Sequence, residues 1–277
     1  NDVVEWAKNI NCPVVLGFEV DGIAGAINRN PKTAHLPSLM SMREYGPSIA
    51  TPRILNLLSS KNLKSSFYIP GYIAETHVDL VKQIHSQGHE IGHHGYMHEP
   101  PATLNKLEEG AVLDRGIEII KSIIGEAPKG YRSPSWELSE HSLDLLQERN
   151  FEYDSSLMGD DIPYNVAAGS EELVEIPIHW ELDDHPFFNY APALGNTTLM
   201  ASPKHVFETW SAAFEGLYEL KRSFVLTMHP WIIGRPGRLK MLARLIDHIN
   251  TFEGVSFMTA LELARMHLEI SKDTTVE

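Results

Sequence analysis

The stretch Gly88–Pro100, GHEIGHHGYMHEP, gathers four of the chain's 14 histidines: His89, His93, His94 and His98. His94 and His98 stand four positions apart, just past a short run that reads as a strand ending near Gly92. If the chain winds through one helical turn there, both imidazoles lie on one face, a geometry that chelates a metal ion. A lone histidine is usually a satisfied polar residue, but a pair at this spacing with two more beside it points to a metal. The second chemistry-bearing element ends the first apolar run, PVVLGFEVDG, where Glu19 and Asp21 flank Val20. Two acids at i and i+2 on a strand point the same way. Asp21 with the two histidines makes a two-His, one-carboxylate set that leaves positions open for water and substrate. Taken alone, the acid pair reads as a helix cap or a solvated turn.

Two further clusters sit at strand ends. SFVLTMHP is an apolar run closed by His229 and locked by Pro230, a position that suits a general acid or base. Tyr131-Arg132-Ser133-Pro134-Ser135-Trp136 places an obligate cation where it can orient a carboxylate. Each reads as an ordinary loop in isolation; four polar clusters at four strand ends do not.

Short apolar runs alternate with amphipathic stretches along the chain. The pattern predicts strands at Pro13–Phe18, Lys64–Ile69, Glu90–Gly92, Gly130–Ser133, Glu152–Ser155, Val174–Ile178, Ser223–Met228 and Val255–Met258. It predicts helices at Thr51–Lys61, Val78–Gln87, Leu104–Ile124, Ser139–Arg149, His205–Leu220 and Leu239–Asn250, with Ser139 as an N-cap and Gly88 and Gly125 at C-termini. Repeated strand–helix alternation implies an α/β fold with a parallel sheet or barrel. Seven or eight units in 277 residues fit a closed or nearly closed barrel in one domain over residues 1–277. No G-x-G-x-x-G follows the first strand, which disfavours a dinucleotide-binding sheet. Two long connections, Gly22–Ala50 and Met158–Leu173, follow predicted strands and read as lids or binding loops, or equally as surface decoration or an oligomer contact.

A hydrophobic fraction of 43% and a charged fraction of 22% describe a folded globular chain. The formal net charge of −14 excludes a nucleic-acid backbone or an anionic membrane as an expected partner. No run of eighteen apolar residues is present, so no membrane span is expected. The single cysteine, Cys12, forbids an intrachain disulfide and, with no visible signal peptide, tilts the expectation toward the cytoplasm. The chain starts at Asn1 without an initiating Met, so a removed leader would leave no trace.

Together these elements resemble the polysaccharide deacetylases, the NodB-like carbohydrate esterase family 4. Within that family they resemble the branch containing the Helicobacter-type peptidoglycan deacetylase. The resemblance runs from about Val14 to about Leu263. Its motifs fall on Glu19 with Asp21, on His94 with His98, on Arg132, Pro134 and Trp136, on Ile176–Asp184, and on Leu226, His229 and Pro230. The resemblance implies a distorted (β/α)7-type barrel and a divalent metal, usually zinc, on Asp21, His94 and His98. It implies Glu19 as the base, Arg132 holding Glu19, and His229 as the acid that protonates the leaving nitrogen. His229 then needs an orienting carboxylate, for which Asp183 is taken, with Asp184 as the alternative. Trp136, Trp231 and Tyr72 are the expected lining of the substrate groove.

One position departs from the family. Most members carry Asp as the base directly before the metal-binding Asp, whereas here the base position is Glu19 and Val20 intervenes. The implied activity is hydrolysis of an amide C–N bond in an N-acetylated sugar polymer or oligomer such as peptidoglycan or chitooligosaccharide. Hydrolysis of a small cyclic amide or imide at the same metal site is the alternative, and a non-catalytic metal-binding homologue is the third reading. The partner is accordingly a glycan or small molecule, with a homo-oligomer open.

Overall fold

The structure is a computed structural model that describes residues 5–7 and 9–273. Its first strand, β1 (Cys12–Glu19), is buried along its whole length, as its nearly unbroken apolar sequence demands of a strand covered on both faces. The chain then runs through α1 (Ala24–Arg29), a 3-10 turn at Pro31–His35, α2 (Pro37–Tyr45), a π-helical turn at Gly46–Ala50 and α3 (Thr51–Ser60). The predicted lid Gly22–Ala50 is therefore a folded helical layer, not an irregular loop. Gly22, at φ +52°, makes the turn out of the strand; a side chain there would start 2.7 Å from Ile73 Cδ1.

Next come β2 (Ser66–Ile69), α4 (Gly71–Thr76), α5 (Val78–Ser86), β3 (Glu90–His93) and α6 (Lys106–Ile124). Helix α6 opens on a capping box between Asn105 and Glu108 and ends on Gly125 at φ +87°. Gly116 on its inner face must be glycine, because a Cβ would stand 2.2 Å from His93 Nε2. After β4 (Gly130–Tyr131), α7 (Ser142–Glu148) begins three residues later than predicted. Ser139 does not cap it; its hydroxyl pairs instead with Glu109 and Ser142. β5 (Tyr153–Asp154) is followed by an antiparallel hairpin: β6 (Tyr164–Ala168) lies inside the predicted loop Met158–Leu173, and β7 (Glu171–Glu175) begins in that loop and runs into the strand predicted from Val174. The chain closes with α8 (His185–Phe188), α9 (Pro203–Glu219), β8 (Phe224–Met228), α10 (Pro230–Ile233), α11 (Pro236–Ile249), β9 (Val255–Phe257) and α12 (Ala260–Asp273).

The strands form one sheet in the order β6-β7-β5-β4-β3-β2-β1-β8, with β9 also on β1. All pairings but β6–β7 are parallel. Beyond β7 the chain passes through a 3-10 turn at Trp180–Leu182 and meets β8 through a single parallel bridge, Asp183 to Thr227. That bridge links the chain after β7 to β8, the two ends of the parallel series β7-β5-β4-β3-β2-β1-β8, giving a distorted, incompletely hydrogen-bonded barrel flanked by helices. The largest core cluster packs Leu16, Phe18 and Phe67 of the strands against Ile54, Trp210, Phe214 and Leu245 of the helices. Among the described residues, no helix is long and apolar enough to cross a membrane.

Candidate active site

Parallel strands that share a direction deliver the residues after their C-terminal ends to one rim, and the polar clusters meet there. Glu19 ends β1, with Val20 turned into the core and Asp21 following on the same side as Glu19. His93 ends β3, and His94 and His98 follow it. Arg132 follows β4, and His229 follows β8.

His94 and His98 do not share a helical turn. Residues 94–100 run as irregular chain, with Gly95 at φ +73° and His98 itself at φ +59°. The two rings still converge, with centroids 4.9 Å apart. A non-glycine residue in the left-handed region costs on the order of 1 kcal/mol and tends to persist where function holds it. Ser135 and Trp136, at φ +61° and +63°, bring the same strain to the opposite side of the site.

Asp21, His94 and His98 each offer one ligand atom, all within 4.8 Å of one another. Two of those atoms, Asp21 Oδ1 and His94 Nε2, are buried without a hydrogen-bond partner among the described residues. His94 donates its Nδ1–H to the Arg132 carbonyl at 2.6 Å, which fixes the tautomer and leaves the Nε2 lone pair pointing at Asp21 Oδ1, 3.2 Å away. Orphaned acceptors aimed at one another need a cation between them, and this donor set fits a divalent metal. Glu19, Asp21 and His229 also lie close enough to chelate. His229, however, has Nε2 against Glu19 Oε2 at 2.9 Å and Nδ1 against Asp184 Oδ1 at 2.7 Å, so both ring nitrogens are committed. His93, fully buried, is likewise spent: Nε2 donates to the Leu113 carbonyl and Nδ1 accepts from the Gly95 amide.

Glu19 is held at both oxygens. Oε1 accepts from Arg132 Nη1 at 3.1 Å and from the Trp136 indole at 2.8 Å, and Oε2 faces His229. Arg132 is fixed in turn by Thr227 Oγ1 and Ser155 Oγ, and lies 4.5 Å above the Tyr68 ring. Burial raises the Glu19 pKa, but His94, His229 and Arg132 outweigh it and hold the carboxyl well below its ordinary value. Asp21 follows the same pattern, burial opposed by His98 and His94, and falls to about 2. For His229, burial disfavours the charged form, yet Asp184 and Glu19 raise it well above the usual imidazole value.

The carboxylate on His229 is Asp184, not Asp183. Asp184 also accepts from the His229 backbone amide at 2.9 Å. Asp183 stands in the extended bridge to Thr227 and accepts from the His185 amide; its nearest approach to Nδ1 is 3.5 Å. Asp183 has extended backbone and Asp184 is already in helical conformation ahead of α8; both carboxylates lie near Nδ1, and Asp184 is the one within hydrogen-bond distance.

The three aromatic residues fare differently. Trp136 is buried, grips Glu19 through its N–H and stacks at 4.3 Å on Trp180, whose ring is half exposed. Trp231 is buried beside the site, 6.5 Å from the His185 ring and under Arg43 at 4.0 Å. Tyr72 packs edge-on against Tyr96 and makes no hydrogen bond or ring contact with Glu19, the metal-ligand set or His229. Sequence reasoning missed Arg43, Thr227, Ser155 and His185, and placed Trp180 in the Ile176–Asp184 motif without a role. Only His185 carried a signal, a His-Pro pair like the one at His229, and nothing in a PSLMSMREY segment marks its arginine.

A barrel rim that presents a two-His, one-Asp metal set beside a clamped carboxylate and an Asp-paired histidine defines a metal-dependent hydrolase of amide C–N bonds. Residues 33–153 match the family model described as polysaccharide deacetylase. The chain is 33% identical to the peptidoglycan deacetylase of Helicobacter pylori, over 91% of this chain and 94% of the other. It therefore belongs to the polysaccharide deacetylase family. A Mycobacterium smegmatis protein assigned provisionally to the same family has a crystal structure that superposes with a TM-score of 0.94 at 35% identity, covering 98% of this chain and 95% of that one. The PuuE allantoinase shares the fold, with a TM-score of 0.83 at 21% identity and 96% coverage of both chains.

Proposed function

We propose that this hydrolase removes the acetyl group from an N-acetylated sugar unit, with Glu19 as general base and His229 as general acid. The observation that carries the reading is the approach of Glu19 Oε2 and His229 Nε2 to 2.9 Å beside the Asp21–His94–His98 set. A base and an acid that face each other over one metal position are what amide hydrolysis needs, since one proton leaves the water and another must reach the nitrogen. The metal, zinc in this reading, would be held by Asp21, His94 and His98 and would supply Lewis-acid polarisation of the acyl oxygen. Arg132 and Trp136 keep Glu19 ionised and aimed. Asp184 keeps the His229 imidazolium oriented so that its Nε2 proton points at the leaving nitrogen. The named activity of the Helicobacter relative supports the sugar as substrate.

A second reading, hydrolysis of a small cyclic amide or imide, is favoured by one feature. Glu19, Asp21, His94 and His229 are all 5% exposed or less. The helical layer that follows Gly22 lies against the metal set, with Gly25 placed so that a Cβ would stand 3.1 Å from His98 Nδ1. Acetate release from N-acetylglucosamine oligomers, measured beside ring opening of cyclic imides and ureides by the zinc-loaded protein, separates the two. Acetate release alone supports the sugar, and ring opening alone replaces it.

A further inference from the structure

Arg43 is the odd residue of the roof. It lies in the last turn of α2, 8% exposed, and forms no ion pair or hydrogen bond among the described residues; its Nε is buried and unpartnered. Its guanidinium stacks on Trp231, Cζ 4.0 Å from the ring centroid. The Trp231 indole N–H is itself buried without an acceptor among the described residues. Beside them stands the His185 ring, 6.5 Å from Trp231 and 5.5 Å from His229.

This arrangement is built, not incidental. The π-helical turn at Gly46–Ala50 presses against Trp231, and Gly46 is placed so that a Cβ would meet the Trp231 backbone nitrogen at 3.2 Å. π-Helical turns tend to occur at functional sites. Arg43 also sits within electrostatic reach of the centre: the charge of Asp21 acts on it, and its own charge acts on His185. Exposed Arg29 adds positive potential on the same side. A metal ion on Asp21 would neutralise the one acid that acts on Arg43. The guanidinium would then be a buried cation with no counter-charge, an unfavourable arrangement unless a ligand supplies the anion.

We infer that Arg43 and the Trp231 indole N–H form an anion subsite beside the metal, and that the substrate amide carries a carboxylate which docks there. The inference rests on the amide-hydrolase reading above and narrows it. A guanidinium fork and an indole donor, neither hydrogen-bonded among the described residues, match the acceptor lone pairs of one carboxylate.

The test uses zinc-loaded, 15N-tryptophan-labelled protein carrying Glu19→Gln to prevent turnover, titrated with N-acetylglycine and with its neutral twin N-acetylglycinamide. The Trp231 indole resonance, assigned through Trp231→Phe, is expected to move downfield with the acid, which binds at least ten-fold more tightly than the amide. Adding Arg43→Gln should abolish that preference while the melting temperature does not fall, since an unpaired buried cation has been removed. If that variant fails to fold, Arg43→Lys, which keeps the charge but not the fork, should weaken the preference several-fold. Equal binding of acid and amide, or a preference that survives loss of the guanidinium, would overturn the inference. So would a melting temperature several degrees lower with no preference to lose, which would make Arg43 a packing residue. Acetate release from N-acetylglucosamine oligomers without any carboxylate preference sinks the subsite and leaves the activity standing. A carboxylate preference in a protein that hydrolyses no amide does the reverse.

Discussion

The indole N–H of Trp136 donates to Glu19 Oε1 at 2.8 Å, on the same oxygen that Arg132 grips at 3.1 Å. The longer glutamate side chain at the base position is thus immobilised from two directions, and its second oxygen is left for chemistry against His229. Trp136 reaches that point from a left-handed backbone conformation, with its ring flat against Trp180.

Two substitutions separate the base from its clamp. Glu19→Gln should leave bound metal unchanged by elemental analysis and lower kcat by about 10²–10⁴-fold. Trp136→Phe keeps the ring stack and removes one hydrogen bond to a carboxylate, so kcat should fall by roughly ten- to a hundred-fold. Loss of metal in Glu19→Gln would place Glu19 in the ligand set instead.

Asp184→Asn should cost about 10²-fold or more in kcat/KM, because it removes the negative charge that keeps His229 protonated and oriented. Asp183→Asn should cost far less, since the hydrogen bond that Asp183 accepts comes from the His185 amide. Equal losses in the two variants would contradict the geometry at Nδ1.

Neighbouring histidines should give opposite phenotypes. His94→Ala should abolish metal binding by calorimetry while the apo-protein stays folded. His93→Ala strands the Gly95 amide, removes a second hydrogen bond from the Leu113 carbonyl and opens a cavity beside Gly116. It should lower stability by about 2–4 kcal/mol in urea unfolding.

Acid sensitivity should have a source away from the site. Burial depresses His89 to about 4, and Lys64 nearby adds to the effect; its Nδ1 accepts from the Ser65 amide, so the folded state holds it neutral. The unfolded chain binds that proton near pH 6.5, so this contribution to stability is complete above that pH and is lost as pH falls toward 4. The loss should reach up to about 3 kcal/mol. His89→Asn, which keeps an acceptor for Ser65, should reduce the fall of the urea midpoint between pH 6.5 and 4.5, the remainder coming from other buried histidines such as His93.

Much of this was legible in the chain itself. Local pattern fixes what local physics governs: β1 is eight buried residues because its sequence is apolar almost throughout, and Glu19 and Asp21 share a side because a strand alternates. The strand–helix rhythm implied parallel pairing, and parallel strands bring Asp21, His94, Arg132 and His229 to one rim. The same reasoning went astray where a residue's partner lies far away in sequence. The 94–98 pair converges through left-handed turns rather than a helix, because Gly71 and Tyr72 hold the Gly95 and Tyr96 carbonyls in hydrogen bonds. Strand β6 and the start of β7 hide in a polar stretch because they are largely exposed and pair with each other, while only the buried end of β7 carries the apolar signal that predicts a strand from Val174.

Only the tertiary structure could choose between Asp183 and Asp184, adjacent acids whose directions depend on where an extended bridge gives way to α8. It also moved Trp136 from the groove wall to the base, set Tyr72 apart from the site, and brought Arg43 from an unmarked helix onto Trp231. The sequence determined the reactive groups and the rim that gathers them. Their partners were decided by packing between segments tens to hundreds of residues apart, where contact depends on the fold as a whole.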